Sequence, residues 1–187
     1  MRRLLFLVTA ALVAALTLTF LPGTAQESSD GDVHCVASVI GQADSGEFLL
    51  SEPDCVTGDE SALAALWSDH GLVAPGTSGD TVAAVLAGAS SDRVIELAAA
   101  SSILGTHYDG VYSGSSFTVT GSNCNGGWIN LSGFWNNRVS STVNGLCHRI
   151  KHHDYANKGG SYQSTWGWGG SLTYMNNRAS SISYNNS

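Results

Sequence analysis

The sequence predicts a mainly β protein. A two-sheet sandwich of about eight strands should occupy residues 106–187, preceded by a small α+β region over 26–105. Three observations predict it: an internal repeat in the second half, a change of texture near residue 102, and a split in charge. The 187 residues include 22 Gly, 15 Asp+Glu and 8 Lys+Arg, for a formal charge of -7. Residues 26–105 carry 13 acids and one base, a net of 1 − 13 = -12, whereas 106–187 carry two acids and five bases, a net of 5 − 2 = +3. With 12% charged and 43% apolar residues, the composition opposes intrinsic disorder. The acidic total opposes a dedicated nucleic-acid binder, which needs a basic face.

The repeat is legible residue by residue. His107-Tyr108-Asp109 and Gly114-Ser115-Ser116-Phe117 recur, 45 residues later, as His152-His153-Asp154 and Gly159-Gly160-Ser161-Tyr162. Asn136-Asn137-Arg138-Val139-Ser140-Ser141 recurs as Asn176-Asn177-Arg178-Ala179-Ser180-Ser181, 40 residues later. The first copy has the longer middle, including Ser122–Gly127 with Cys124. Each copy reads as an aromatic strand, a Gly-containing hairpin, a second aromatic strand, a Gly/Trp turn and strand, then NNR-x-SS leading into a last strand. One copy cannot bury an apolar face alone, so the two should pack as paired sheets, with a Greek-key arrangement the natural one.

The elements follow in chain order. Arg2 and Arg3, an apolar run over 4–21 and small residues at Gly23 and Ala25 form the pattern of a secretory signal cleaved after Ala25. Residues 34–40 and 47–50 read as two short strands around an Ala43-Asp44-Ser45-Gly46 turn. Thr57-Gly58-Asp59-Glu60 has capping-box spacing before a short helix over 61–67. Residues 81–86 and 93–100 read as further helices, with a loop at 76–79 before them. The region is expected to be either a small α+β unit or a pro-segment, its -12 charge docked on the +3 domain or shielding it. After residue 102, segments rich in Tyr, Trp, Thr and Val alternate with Gly/Asn/Ser clusters, as in an all-β sandwich.

An exported chain reads Cys35, Cys55, Cys124 and Cys147 as two disulfides. Three connectivities are open in principle. The compositional split favours Cys35–Cys55, stapling the first hairpin, and Cys124–Cys147.

At the repeated motifs, over about 106–187, the chain resembles the microbial βγ-crystallin superfamily. Both hexapeptides fit that family's N/D-N/D-x-x-S/T-S signature. The form WNNR-x-SS in a secreted, disulfide-containing chain is most similar to a family of secreted actinobacterial peptidase inhibitors, of the Streptomyces metalloproteinase-inhibitor type. The resemblance implies two calcium sites. Asn136, Asn137, Arg138 and Ser180 would build one, and Asn176, Asn177, Arg178 and Ser140 the other, each Arg giving only its carbonyl. All four N/D positions are neutral Asn, which weakens a Ca²⁺ site, because affinity rises with ligand charge. The bland reading is that Asn suits the turn and Ser caps its neighbour.

Other chemistry-bearing residues read less sharply. His148, His152 and His153 with Asp154 suggest a transition-metal site, yet adjacent strand residues face opposite ways. Trp128, Trp135, Trp166 and Trp168 could stack sugars, but read more readily as core. Asn130-Leu131-Ser132 is a formal glycosylation sequon. Gly76-Thr77-Ser78-Gly79-Asp80 is superficially similar to a serine-nucleophile loop. Asp109 and Asp154, the carboxylates of the repeat domain, read as duplicated structural residues. There is no GxSxG elbow and no HExxH.

The resemblance therefore implies a secreted binding protein that is not an enzyme. A peptidase inhibitor docking on an extracellular protease is the first expectation, with Ser122–Gly127 as its contacting loop. The alternatives are a calcium-binding or structural protein, and a secreted toxin or cell-wall binder. The chain is expected to be monomeric, with no nucleic-acid partner and no stable membrane association once the signal is removed.

Overall fold

The structure is a computed structural model, and it describes residues 31–86 and 102–187. The signal pattern and the helix expected over 93–100 lie outside the described residues.

The first region forms β1 (Asp32–Gln42), β2 (Phe48–Leu50), β3 (Asp54–Gly58), α1 (Glu60–Asp69) and α2 (Gly79–Leu86). The repeat then gives eight strands, four per copy. The first four are β4 (Ile103–Tyr108), β5 (Ser116–Thr120), β6 (Asn125–Asn130) and β7 (Ser141–Asn144). The second four are β8 (Arg149–Tyr155), β9 (Gly159–Trp166), β10 (Gly169–Ser171) and β11 (Ser181–Asn185).

The eleven strands share one sheet in the order β2-β1-β5-β4-β7-β10-β9-β8-β11-β6, with β3 also on β1. Two halves are visible in that order. β5-β4-β7-β10 form one face, here sheet I, and β9-β8-β11-β6 the other, sheet II. In each half the last strand, β10 or β6, is the third strand of the other copy. A single residue pair, Gly169 with Trp166, joins the halves through β10 and β9. At the far side, the tip of the β1–β2 hairpin bridges from Glu47 to Trp128 on β6 and nearly closes the ring.

Alternation decides what lies inside. Along β8 and β11, Ile150, His152, Ile182 and Tyr184 are fully buried. They join Leu104, Val139, Cys147 and Met175 in the interior core. A buried polar chain crosses that interior. Thr142 Oγ1 meets His107 Nδ1 at 3.0 Å and His152 Nε2 at 2.7 Å, and His107 Nε2 meets the Tyr184 hydroxyl at 2.9 Å. Burial holds His107 well below the usual histidine range and His152 down to about 3. Both imidazoles are thus neutral, which is how a low-dielectric interior tolerates them.

The acidic region does not sit apart from the repeat. β1 lies parallel to β5, with His34 opposite Ser116 and Ser38 opposite Thr120. Cys35, Ala37 and Phe48 enter the interior core. A second apolar cluster, including Val36, Leu63, Trp67 and Val82, covers the outer side of sheet I at Ile103 and Tyr108. The compositional boundary at residue 105 falls inside β4. Strand pairing and apolar packing make this contact. The three ion pairs among the described residues each stay within one region.

Three local readings are corrected. The α1 cap is Asp59, whose carboxylate accepts from the Ser61 and Ala62 amides, while Thr57 lies in β3 opposite Val33. Both expected disulfides form, Cys35–Cys55 and Cys124–Cys147. The first staples β1 to β3, where Cys35 and Cys55 are direct partners, and not the β1–β2 hairpin. Phe117 and Tyr162, aligned at an offset of 45, face opposite ways. Phe117 pairs with His107, facing the interior, whereas Tyr162 pairs with His153, facing out. A one-residue change of register flips every side chain of a strand.

Candidate functional site: the crossed signature loops

The two NNR-x-SS segments meet and bond each other reciprocally. Asn137 and Asn177 hold positive φ, 59° and 54°. Asn tolerates this left-handed turn better than most residues. The turn lets the Asn137 amide donate to the Ala179 carbonyl at 2.9 Å and the Asn177 amide to the Val139 carbonyl at 3.0 Å. Val139 and Ala179 are fully buried between them. The side chains then cross. Ser180 Oγ donates to Asn137 Oδ1 at 3.2 Å, and Ser140 Oγ to Asn177 Oδ1 at 3.1 Å. The serine amides are anchored in the same paired way, Ser140 on the Tyr108 carbonyl and Ser180 on that of His153.

The structure therefore brings Asn137 to Ser180 and Asn177 to Ser140. Asn136 and Asn176 are exposed at the loop starts. The arginine side chains turn away to the duplicated carboxylates: Arg138 Nη2 lies 3.5 Å from Asp109 and Arg178 Nη2 2.7 Å from Asp154. Each guanidinium also covers a ring, Arg138 that of Phe134 at 3.9 Å and Arg178 that of Tyr174 at 4.8 Å. Burial raises the Asp109 carboxyl, with Arg138 opposing it. Among the described residues, no group of three or more His, Cys, Asp or Glu is arranged around a common point. The oxygens that converge here are neutral amide and hydroxyl oxygens.

Beside the first signature lies the β4–β5 loop. The Asp109 amide donates to the Ser115 carbonyl and that of Gly110 to Ser113, both at 3.1 Å. Ser141 Oγ donates to the Gly110 carbonyl at 2.7 Å and accepts from the Tyr112 amide at 2.9 Å. Tyr112 is left-handed at φ 54° and Gly114 at 80°. Val111 projects from this pinned loop, 63% exposed. The sequence reading missed it, although Gly110 and Gly114 flanking an apolar residue were the available signal.

The remaining candidates separate. Ser122–Gly127 is a loop only in its first half: 125–127 lie in β6, where a Cβ on Gly127 would overlap the Phe48 ring, while Ser122 and Asn123 before it are exposed. His152 faces the core and His153 bonds Ser183 Oγ at 3.0 Å on the opposite side, so the histidines do not converge. Trp128 and Trp135 are buried, but Trp166 and Trp168 are 51% and 60% exposed, against the reading of all four as core. The Asn130 amide is held by Glu47 and Asn157. Ser78 binds the Thr81 amide and hydroxyl at the start of α2, a capping role.

Comparison with family models, curated proteins and solved structures gave no match to this chain.

Proposed function

We propose that this chain is a secreted, non-enzymatic binding protein on a βγ-crystallin-like double Greek key, acting as a peptidase inhibitor. The third-strand exchange between halves and the crossed signatures support the fold reading. The two disulfides support an oxidising, extracellular setting. The observation that carries the inhibitory reading is the pinned loop 109–115 with exposed Val111. A loop already fixed in shape loses little entropy on docking, and one apolar anchor can supply much of the affinity. The test is a panel of extracellular proteases with purified 26–187 and its Val111→Asp variant. Inhibition by the parent, weakened by the variant, is expected. No inhibition of any protease in the panel would count against the reading.

A second reading, calcium binding, is favoured by the crossed pairs. Asn137 with Ser180, and Asn177 with Ser140, present hard neutral oxygens together, and Asn136, Asn176 and the carbonyls of Arg138 and Arg178 would complete each set. Ca²⁺ wants six to eight oxygens and binds weakly without charged ones. Millimolar affinity is the expectation. Titration calorimetry and melting with Ca²⁺ test this: no heat and no stabilisation at millimolar calcium would remove it.

A further inference from the structure

We propose that the outer face of β8 and β9 binds an acidic polysaccharide, a chain of sugar rings bearing carboxylates. This surface is distinct from loop 109–115 and does not depend on the inhibitory reading.

The first observation is where aromatic rings are exposed. Tyr155, Tyr162, Trp166, Trp168 and Tyr174 are each at least half exposed, and all lie between residues 155 and 174. On β9, Tyr162 and Trp166 point the same way four residues apart, about 13 Å at strand rise.

The second is the cation beside each ring. Lys151 Nζ lies 4.8 Å over Tyr162 and the Arg149 guanidinium 4.5 Å over Trp166. Arg149 is steadied by Ser164 Oγ at 3.4 Å and the Ser187 main-chain oxygen at 3.1 Å. A cation lies over each ring, and His153 and His148 pack beside Tyr162 and Trp166, yet both rings stay half exposed. Asn185 on β11 pairs with Arg149 and continues the row with an amide, whereas Ser183, opposite Lys151, is buried with its hydroxyl on His153. The one carboxylate side chain on β8, β9 and β11 is Asp154, and it is paired with Arg178. The titratable groups there are Arg149, Lys151, His153 and Tyr162, with His148 against Trp166 and Lys158 nearby; burial holds His153 down to about 4, so it is neutral near pH 7.

Chemistry narrows the occupant. Tyr and Trp offer broad apolar faces with polar tips, which suit the C–H faces of sugar rings. Amide and hydroxyl side chains can both donate and accept, matching sugar hydroxyls. Arg and Lys add charge-assisted bonds to carboxylates. The face lacks the aliphatic anchors that hold α1 on the other sheet, so it does not suit an apolar helix.

The test uses the full 26–187 chain and three probes: a short oligogalacturonate, its fully methyl-esterified form, and poly-glutamate of matched charge. Oligogalacturonate should bind, with the ester and the poly-glutamate at least about tenfold weaker. Trp166→Ala and Arg149→Gln should each weaken binding about tenfold, and Ile40→Ala, exposed on β1, should not change it. Unchanged melting temperatures show that the variants fold. No binding at millimolar oligogalacturonate overturns the proposal, as does binding indifferent to both variants. Equal binding of poly-glutamate would assign the face to an acidic peptide instead. Self-association abolished by Trp166→Ala would assign it to a second copy of the chain.

Discussion

Sheets I and II descend from the same repeated pattern, but they meet different neighbours. On β5 the outward positions are Ser116, Thr118 and Thr120, small hydroxyl residues buried under the N-terminal region. His34 Nδ1 meets Ser116 Oγ at 2.9 Å, the Trp67 indole donates to Thr118 Oγ1 at 3.2 Å, and Thr120 Oγ1 donates to Ser38 Oγ at 2.9 Å. On β9 the corresponding outward positions are Tyr162, Ser164 and Trp166, and the two rings stay half exposed. Duplication explains the shared frame. The small residues of β5 leave room for a cover, whereas the large rings and nearby cations of β9 favour a polar surface.

The contrast breaks most readily at the two tryptophans. Trp67→Ala should cost roughly 3–5 kcal/mol in urea unfolding, because Trp67 is 1% exposed and fills the cover of sheet I. Trp166→Ala should stay within about 0.5 kcal/mol, as surface changes usually do. Similar losses at both sites would erase the distinction.

Disulfides come next. Their sequence separations are 20 and 23 residues, so removing either as a Cys→Ser pair should cost a similar amount, about 3 kcal/mol. A near-zero cost for Cys35–Cys55 would mean that the first region adds little to the fold.

Acid should act through the shared interior. His152 has an ordinary value of 6.5 when exposed and about 3 when folded. Below pH 6.5 the unfolded chain binds protons that the folded chain refuses, so stability is full above that pH and falls as the pH drops toward 3. The loss should reach on the order of 3 kcal/mol by pH 4 from His152 alone, read as a falling melting temperature. His152→Gln should flatten that slope.

The crossed loops should give the smallest and most symmetric effects. Ser140→Ala and Ser180→Ala should each cost about 1 kcal/mol, and double-mutant cycles with Asn177 and Asn137 should return matching couplings. Coupling at one crossing only would break the equivalence of the halves.

Much of this frame was readable beforehand. The hexapeptide repeat placed eight strands, and the split in composition paired the cysteines. The Asn/Ser identities named the residues that cross. What failed was non-local or depended on register. No local pattern shows that β1 will lie parallel to β5, because that pairing spans more than 80 residues. The equivalence of Phe117 and Tyr162 failed because aligning sequences counts residues, while an irregularity between His153 and Tyr155 shifts the pairing. That same shift turns Tyr162 and Trp166 outward, so the exposed ladder was missed for the same reason. Thr57 lost the cap to Asp59 because β3 claims it for pairing with β1.

Hydroxyl-radical footprinting of the intact chain tests the central claim most directly, namely that one sheet is covered by the first region and its counterpart is open. Tyr162 and Trp166 should be labelled much faster than Tyr108 and Trp67, which are 2% and 1% exposed. Comparable labelling of the two sets would contradict it.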